Sequence, residues 1–253
     1  MLNEPRQLVE KLERDAHLPS GPWERFNGYG VIGLPFKSGH VLAMRRFPVS
    51  SVGPGYKSVW HRSPDNKWVL YVNVPPRQAC PRYFGAIASE TIETDILVDW
   101  PEPSRMLIAM PALSFEWEIT ARSTWATRLM NAAGKLLPDA AWHNPAVLAA
   151  MGKVAGPLLG VGHVQLQGQV PNGQHFTVVP RFLWLVTESR ARMGSEDFGP
   201  PGSIYPQVHA GDFWIPQQGI LAIGQTYFDP FDPARHSSMT SQSPGGGMTR
   251  KAA

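Results

Sequence analysis

The sequence predicts a mainly β protein, an antiparallel barrel or sandwich with a short N-terminal helix and a central pair of helices. Three observations carry this. Apolar runs of strand length recur at short spacing with turn residues between them, giving roughly nine or ten strands. Helical periodicity is confined to residues 4–16 and 123–158. No alternation of strand and crossover helix runs along the chain, which argues against a doubly wound parallel sheet.

Residues 4–16, EPRQLVEKLERDA, form an amphipathic helix with Leu8, Val9 and Leu12 on one face, ended by Pro19, Gly21 and Pro22. It is expected to cover an end or edge of the sheet. Strands follow at 26–34, where Gly28, Gly30 and Gly33 signal tight bends or close backbone approach, and at 40–47. The hairpin Val59–Val74 is the clearest unit. Pro64, Asp65 and Asn66 suit a type I turn closed by a left-handed residue. Alternation then places Trp60, Trp68, Leu70 and Val72 on one face and Val59, His61, Val69, Tyr71 and Asn73 on the other.

Residues 75–85, PPRQACPRYFG, hold three prolines that forbid regular pairing, yet carry Cys80, Arg82, Tyr83 and Phe84; a rigid pocket rim is expected there. Strands are expected at 84–99, 105–110 and 113–120, the last with Glu116 and Glu118 on its polar face. The helical pair occupies 123–137 and 144–158, with Asn144-Pro145 as a cap and first turn, and Gly152, Gly156 and Gly160 on one face suited to close helix packing. Strands resume at 163–170 and 175–193, where Pro180 implies an edge or a bulge, and close at 219–228. The expected organisation is a helix and linker at 1–22, one β domain at 23–230 with its helical insertion at 123–158, and a disordered tail rich in Ser, Pro and Gly at 231–253.

Hydrophobic residues make up 43% of the chain and charged residues 17%, enough for a sizeable core under a thin charged surface. Nine Trp and eleven Phe suit pocket walls for flat or greasy ligands. The net charge of +3 comes without a clustered basic stripe, so no nucleic-acid partner is expected. With Cys80 as its one cysteine the chain has no intrachain disulfide. The charged start lacks a signal-peptide core, and no apolar run reaches the ~18 residues of a membrane span. A cytoplasmic location is expected.

The blocks GYGVIGLPFKSGHVLAMRRFP, SVWHRSPDNKWVLYVNVPPRQACPRYFG, NGQHFTVVPRFLWLVTESRA and GDFWIPQQG resemble a bacterial group with the look of lipocalin-like, calycin-type β proteins of the hydroxyneurosporene synthase and AttH kind. The resemblance spans most of residues 25–230. It implies a calycin barrel around a lipid-like, isoprenoid or polyketide ligand. No catalytic motif of those families maps onto this chain, and the central helical pair departs from a plain lipocalin barrel.

The chemistry-bearing residues are few. The eight histidines are scattered without metal-ligand spacing, and no metal is expected. The Gly28, Gly30, Gly33 spacing opens no helix, so it is no dinucleotide site, and no cofactor is expected. Cys80 lacks a local activating signature. His61, as general acid or base, with Tyr71 as donor, is the candidate catalytic pair on the hairpin's mixed face; the bland reading is a satisfied histidine on a covered face. Trp60, Trp68, Tyr71, Trp184 and Trp214 are the candidate aromatic walls, with Asn73 beside them. Arg45 and Arg46 point to opposite faces, so one faces inward and needs an anion, either Asp212 or the acidic head of a ligand. Arg82 and Tyr83 are candidates for the same role from the rim. The leading expectation is binding of a hydrophobic small molecule. The alternatives are an enzyme on the same barrel, performing isomerisation, cyclisation or hydration, and a membrane-associated accessory protein using the helical pair.

Overall fold

The computed structural model describes residues 4–237 and 248–251. Helix α1 (Pro5–Asp15) precedes the strands β1 (Glu24–Pro35), β2 (Val41–Ser50), β3 (Tyr56–Arg62) and β4 (Trp68–Val72). A crossover containing the helical turn α2 (Pro81–Phe84) leads to β5 (Ala88–Glu93), β6 (Leu97–Glu102), β7 (Arg105–Met110) and β8 (Phe115–Arg122). The helices α3 (Trp125–Leu136) and α4 (Pro145–Leu159) come next. The chain then forms β9 (Gln167–Gln169), β10 (His175–Met193), β11 (Glu196–Asp197), β12 (His209–Ala210), β13 (Phe213–Trp214), β14 (Ile220–Phe228) and β15 (Met248–Lys251).

The main sheet runs β15-β5-β4-β3-β2-β1-β14-β10-β8-β7-β6, with β9 and β11 attached to β10. It is mixed: β5 lies parallel to both β4 and β15, while the remaining pairs are antiparallel. The antiparallel barrel expected from the sequence is therefore corrected to a mixed, curled half-barrel whose described strands end at β15 and β6. The parallel step has a local cause. Strands that run the same way need a long connection, and residues 73–87 supply it. Their prolines bar strand pairing, so the segment folds into a 3-10 turn at Pro76–Gln78 and then α2, burying Ala79, Cys80, Tyr83 and Phe84. The single strand expected at 84–99 divides accordingly into β5 and β6, with the Thr94 N–H donating to Val72 O at the break.

The curl brings remote strands together. Glu196, on β11, reaches the Nε2 of His40 at 3.1 Å, although β1 and β14 separate their parent strands in the sheet. The Phe198 ring stacks on His40 at 4.0 Å and on His61 at 5.1 Å. One face carries a core built from Tyr29, Val31, Met44, Val59, Ile108, Trp117 and Trp184, capped by Val9 of α1. The opposite face carries Phe26, Ala43, Tyr56, Trp60, Leu70 and Val72, packed against the crossover residues Cys80, Tyr83 and Phe84. The β3–β4 hairpin splits as its alternation predicts, and its turn closes with Asn66 at φ 67°. Pro180 sits in the central strand β10 at a register shift between Pro180 and Phe182, a bulge that spares the ladder its missing N–H.

Helices α3 and α4 lie within a residue or two of their expected bounds, capped by Thr124 and Asn144. Their glycines act differently from expectation. A Cβ on Gly152 would meet Val164 O at 2.7 Å and one on Gly156 would meet Gly162 O at 2.3 Å. The bare face thus admits the returning segment 162–165 rather than the other helix. That packing also explains why the strand expected at 163–170 shrinks to β9. Of the tail expected to be disordered, residues 231–237 are ordered instead: His236 is buried and its Nδ1 accepts the Asp232 N–H at 2.9 Å. Met248–Lys251 pairs with β5; the rest of that tail, 238–247 and 252–253, lies outside the described residues. Among the described residues, no helix is long and apolar enough to cross a membrane.

Candidate functional site

A cavity of about 140 Å³ lies between the sheet and the helical pair. Its floor is made of strand backbone. Gly28 and Gly30 of β1 and Gly224 of β14 line it, and a Cβ at any of them would meet a carbonyl oxygen of a neighbouring strand at 2.1–2.3 Å. Glycine there serves the close approach of strands in the curled sheet. The roof is Met130 of α3 and Met151, Ala155 and Leu159 of α4. Trp60, Phe84, Phe213 and Trp214 wall the sides.

Arg45 stands in this apolar setting, 8% exposed. Alternation along β2 sends Arg45 to the cavity face and Arg46 to the other. The bulge of β1 between Val31 and Leu34 frees carbonyls from the ladder, and Arg45 takes them. Nη1 donates to Val31 O at 2.5 Å and Met44 O at 2.9 Å, and Nη2 donates to Ile32 O at 3.0 Å. The guanidinium carbon lies 5.1 Å from the Trp60 ring centre and 5.4 Å from that of Phe213, within cation–π range. A guanidinium has five N–H groups, so two remain without an acceptor among the described residues. No carboxylate pairs with it there either. Burial pushes this arginine down to about 10.

Beside it, the Sγ of Cys80 sits 3.1 Å from the Tyr56 hydroxyl and 3.3 Å from that of Ser58. Burial, reinforced by Cys80, raises the Tyr56 phenol well above its ordinary value, so it stays neutral. At the far end of the same core, Glu24 accepts from Arg82 Nη2 at 2.5 Å, Arg82 Nε at 3.1 Å, the Tyr83 hydroxyl at 2.5 Å and Gln174 Nε2 at 3.2 Å. Burial pushes this carboxyl up, but these bonds outweigh it and hold it below its ordinary value.

The structure brings Arg45, Trp60, Tyr83 and Trp214 to the cavity wall. It places the other candidates elsewhere. His61 and Tyr71 lie on the opposite face, because the side chains of β3 and β4 that reach the cavity side are those in phase with Trp60. Trp184 is also in the opposite core. Trp68 shares the cavity-side core and contacts Trp60 edge-on at 6.4 Å without lining the cavity. Asn73 Oδ1 accepts the Lys57 N–H at 2.6 Å. Arg46 pairs with Glu13 of α1 at 2.7 Å, and Arg82 is satisfied by Glu24. Asp212 is not an arginine partner: its Oδ2 accepts the Gln169 N–H at 2.8 Å, tying β9 to the turn before β13. Glu116 and Glu118 serve cross-strand ion pairs with Arg192 and Arg105. The two roof methionines had no sequence signal, since both faces of the helical pair are apolar. The floor glycines Gly28 and Gly30 did have one in their recurrence along β1, and Gly224 of β14 did not.

His61 belongs to a buried imidazole pair. His40 Nε2 faces Glu196, so the consistent neutral arrangement has His61 Nε2–H donating to His40 Nδ1 at 2.9 Å. Burial and the neighbouring His40 push His61 down to about 4. Between pH 6.5 and 4 the unfolded chain takes up this proton and the folded chain does not, so stability falls on acidification by up to ~3 kcal/mol. Urea unfolding at pH 7 and pH 4.5 is expected to show that loss in the wild type and a smaller one in His61→Gln. Equal losses in both would show that His61 does not titrate in this window. Among the described residues no three His, Cys, Asp or Glu side chains cluster as a metal site.

Fold and cavity together define a half-barrel β protein whose sheet and helical pair enclose an apolar chamber around a buried arginine. No protein-family model matches the chain, and no curated protein does. Among solved structures it is similar to an acetoacetate decarboxylase from Legionella pneumophila, at 10% identity and a TM-score of 0.39, over 88% of this chain and 90% of that one.

Proposed function

We propose that the protein binds a small apolar molecule carrying an acidic head, with the apolar part under the helical pair and the head on Arg45. The observation that carries this is a nine-tenths buried guanidinium on the wall of an apolar chamber which, among the described residues, has three backbone carbonyls and two aromatic rings but no carboxylate partner, and two N–H groups without an acceptor. A buried charge without a partner costs several kcal/mol, and a bound carboxylate offsets that cost while supplying the missing acceptors. The chamber's size limits the ligand. At about 140 Å³ it compares with apolar cavities that hold one benzene ring, and it is smaller than the ~300–1,000 Å³ of pockets for drug-sized ligands. An aromatic or short branched carboxylic acid fits. A lipid, isoprenoid or polyketide ligand of the kind the calycin resemblance implies places one ring or chain end here.

Binding is favoured over acid–base catalysis by what the wall lacks. Among the described residues no His, Lys, Asp or Glu side chain lines the cavity, and the thiol and phenols beside Arg45 are already engaged, Cys80 with Tyr56 and Ser58 and Tyr83 with Glu24. Titration calorimetry with matched pairs of small carboxylic acids and their amides tests the proposal. Saturable one-to-one binding of acids, with amides much weaker, is expected. Equal binding of both members of each pair, or no binding by either, would overturn it.

A further inference from the structure

We infer that the outer face of the helical pair docks on an anionic membrane surface. In a surface helix the apolar stripe normally faces the core. In α3 the core-facing positions are Ala126, Thr127 and Met130, with Asn131 exchanging hydrogen bonds with the Leu183 backbone at 2.9 and 3.0 Å. A second stripe points away from the protein. Trp125, Leu129 and Leu136 are 71%, 54% and 85% exposed, and their i, i+4, i+11 spacing puts them in one line along the helix with Ala132 between. On α4, Val154 is 57% exposed and lies with the exposed Ala150 beside Lys153.

The charge around this face selects its occupant. Arg128 and Lys135 flank the α3 stripe on one side, with Lys135 Nζ 5.2 Å from the Phe182 ring centre. From residue 123 to residue 187, Asp139 is the one acidic residue in the sequence. An outward row of Trp and Leu bordered by cations, almost free of carboxylates, matches the interface between the acyl chains and headgroups of an anionic bilayer. The inner faces of the same helices roof the cavity, so docking there sets the chamber's lid against lipid. Docking uses the outer face alone and does not depend on the cavity's ligand.

Vesicle flotation tests it, with phosphatidylcholine vesicles prepared with and without phosphatidylserine. The wild type is expected to float with the anionic vesicles and to detach as salt rises. Trp125→Ser with Leu129→Ser is expected to lower partitioning at least about tenfold. Arg128→Gln and Lys135→Gln are each expected to lower it about fivefold on anionic vesicles. All four side chains are exposed, and far-ultraviolet circular dichroism checks that the variants keep the fold. No flotation of the wild type with anionic vesicles would overturn the inference, as would unchanged flotation of the double variant. A wild-type dimer in solution that the double variant dissolves, without vesicle binding, would assign the face to a second copy instead.

Discussion

Replacing Arg45 by Met is expected to remove the preference for acids over amides, weakening acid binding by about ten- to a hundredfold. The magnitude follows from hydrogen bonds to a charged group in a dry site, worth ~1.5–3 kcal/mol. Amide binding should change little, because the apolar walls remain. Arg45→Lys separates charge from shape. Lysine keeps the cation but loses the planar fork that holds three carbonyls while presenting further N–H groups, so it should recover only part of the preference. Cooperative thermal unfolding must persist in both variants, since Arg45 also ties the carbonyls of the β1 bulge. If Arg45→Met binds acids and amides in the wild-type ratio, the arginine is a structural tie and the ligand's head lies elsewhere.

Glu24→Ala is expected to cost about 3 kcal/mol of stability, the largest effect foreseen away from the cavity. Its carboxylate is the shared acceptor for Arg82, Tyr83 and Gln174, and its side chain is 13% exposed against 28% for Arg82. Truncation leaves the guanidinium and a buried phenol without their acceptor, which costs more than the bonds themselves contribute. The cluster pins the crossover to the start of β1, and Tyr83 stacks on Phe228 at 3.8 Å within it. The pH dependence has a definite sign. A carboxyl held below its ordinary value contributes stability that is present above the unfolded value of 4.5 and lost as pH falls through the folded one. Urea unfolding of Glu24→Ala, Arg82→Met and the double variant measures the coupling. A Glu24→Ala cost under ~1 kcal/mol would reduce the cluster to an ordinary surface pair.

Much of the site was one inference away from legible. Alternation showed that Arg45 and Arg46 part company across β2, and the structure gives Arg46 to Glu13 and Arg45 to the cavity. Alternation also divided the β3–β4 hairpin correctly into two faces, but it held no information about which face a cavity would adjoin. That depended on where the helical pair folded down. The helices lie over the Trp60 side, so His61 became part of a packed imidazole pair instead of a cavity residue. Asp212 failed as a partner for Arg45 for a similar reason: a carboxylate close in composition to an arginine's needs was already used by a neighbouring backbone N–H.

What the sequence determined by itself is local. Turn chemistry at Pro64-Asp65-Asn66 set the hairpin, the cap at Asn144 set the start of α4, and two-residue periodicity set the faces of the strands. What the tertiary structure decided is everything that depends on distance along the chain. The parallel pairing of β4 with β5, the curl that joins Glu196 to His40, and the carbonyls that collect around Arg45 arise from contacts between remote segments. Local propensity has no term for such contacts. They form where closing a long loop is offset by buried apolar area, and here that area is the double core on the two faces of one curled sheet.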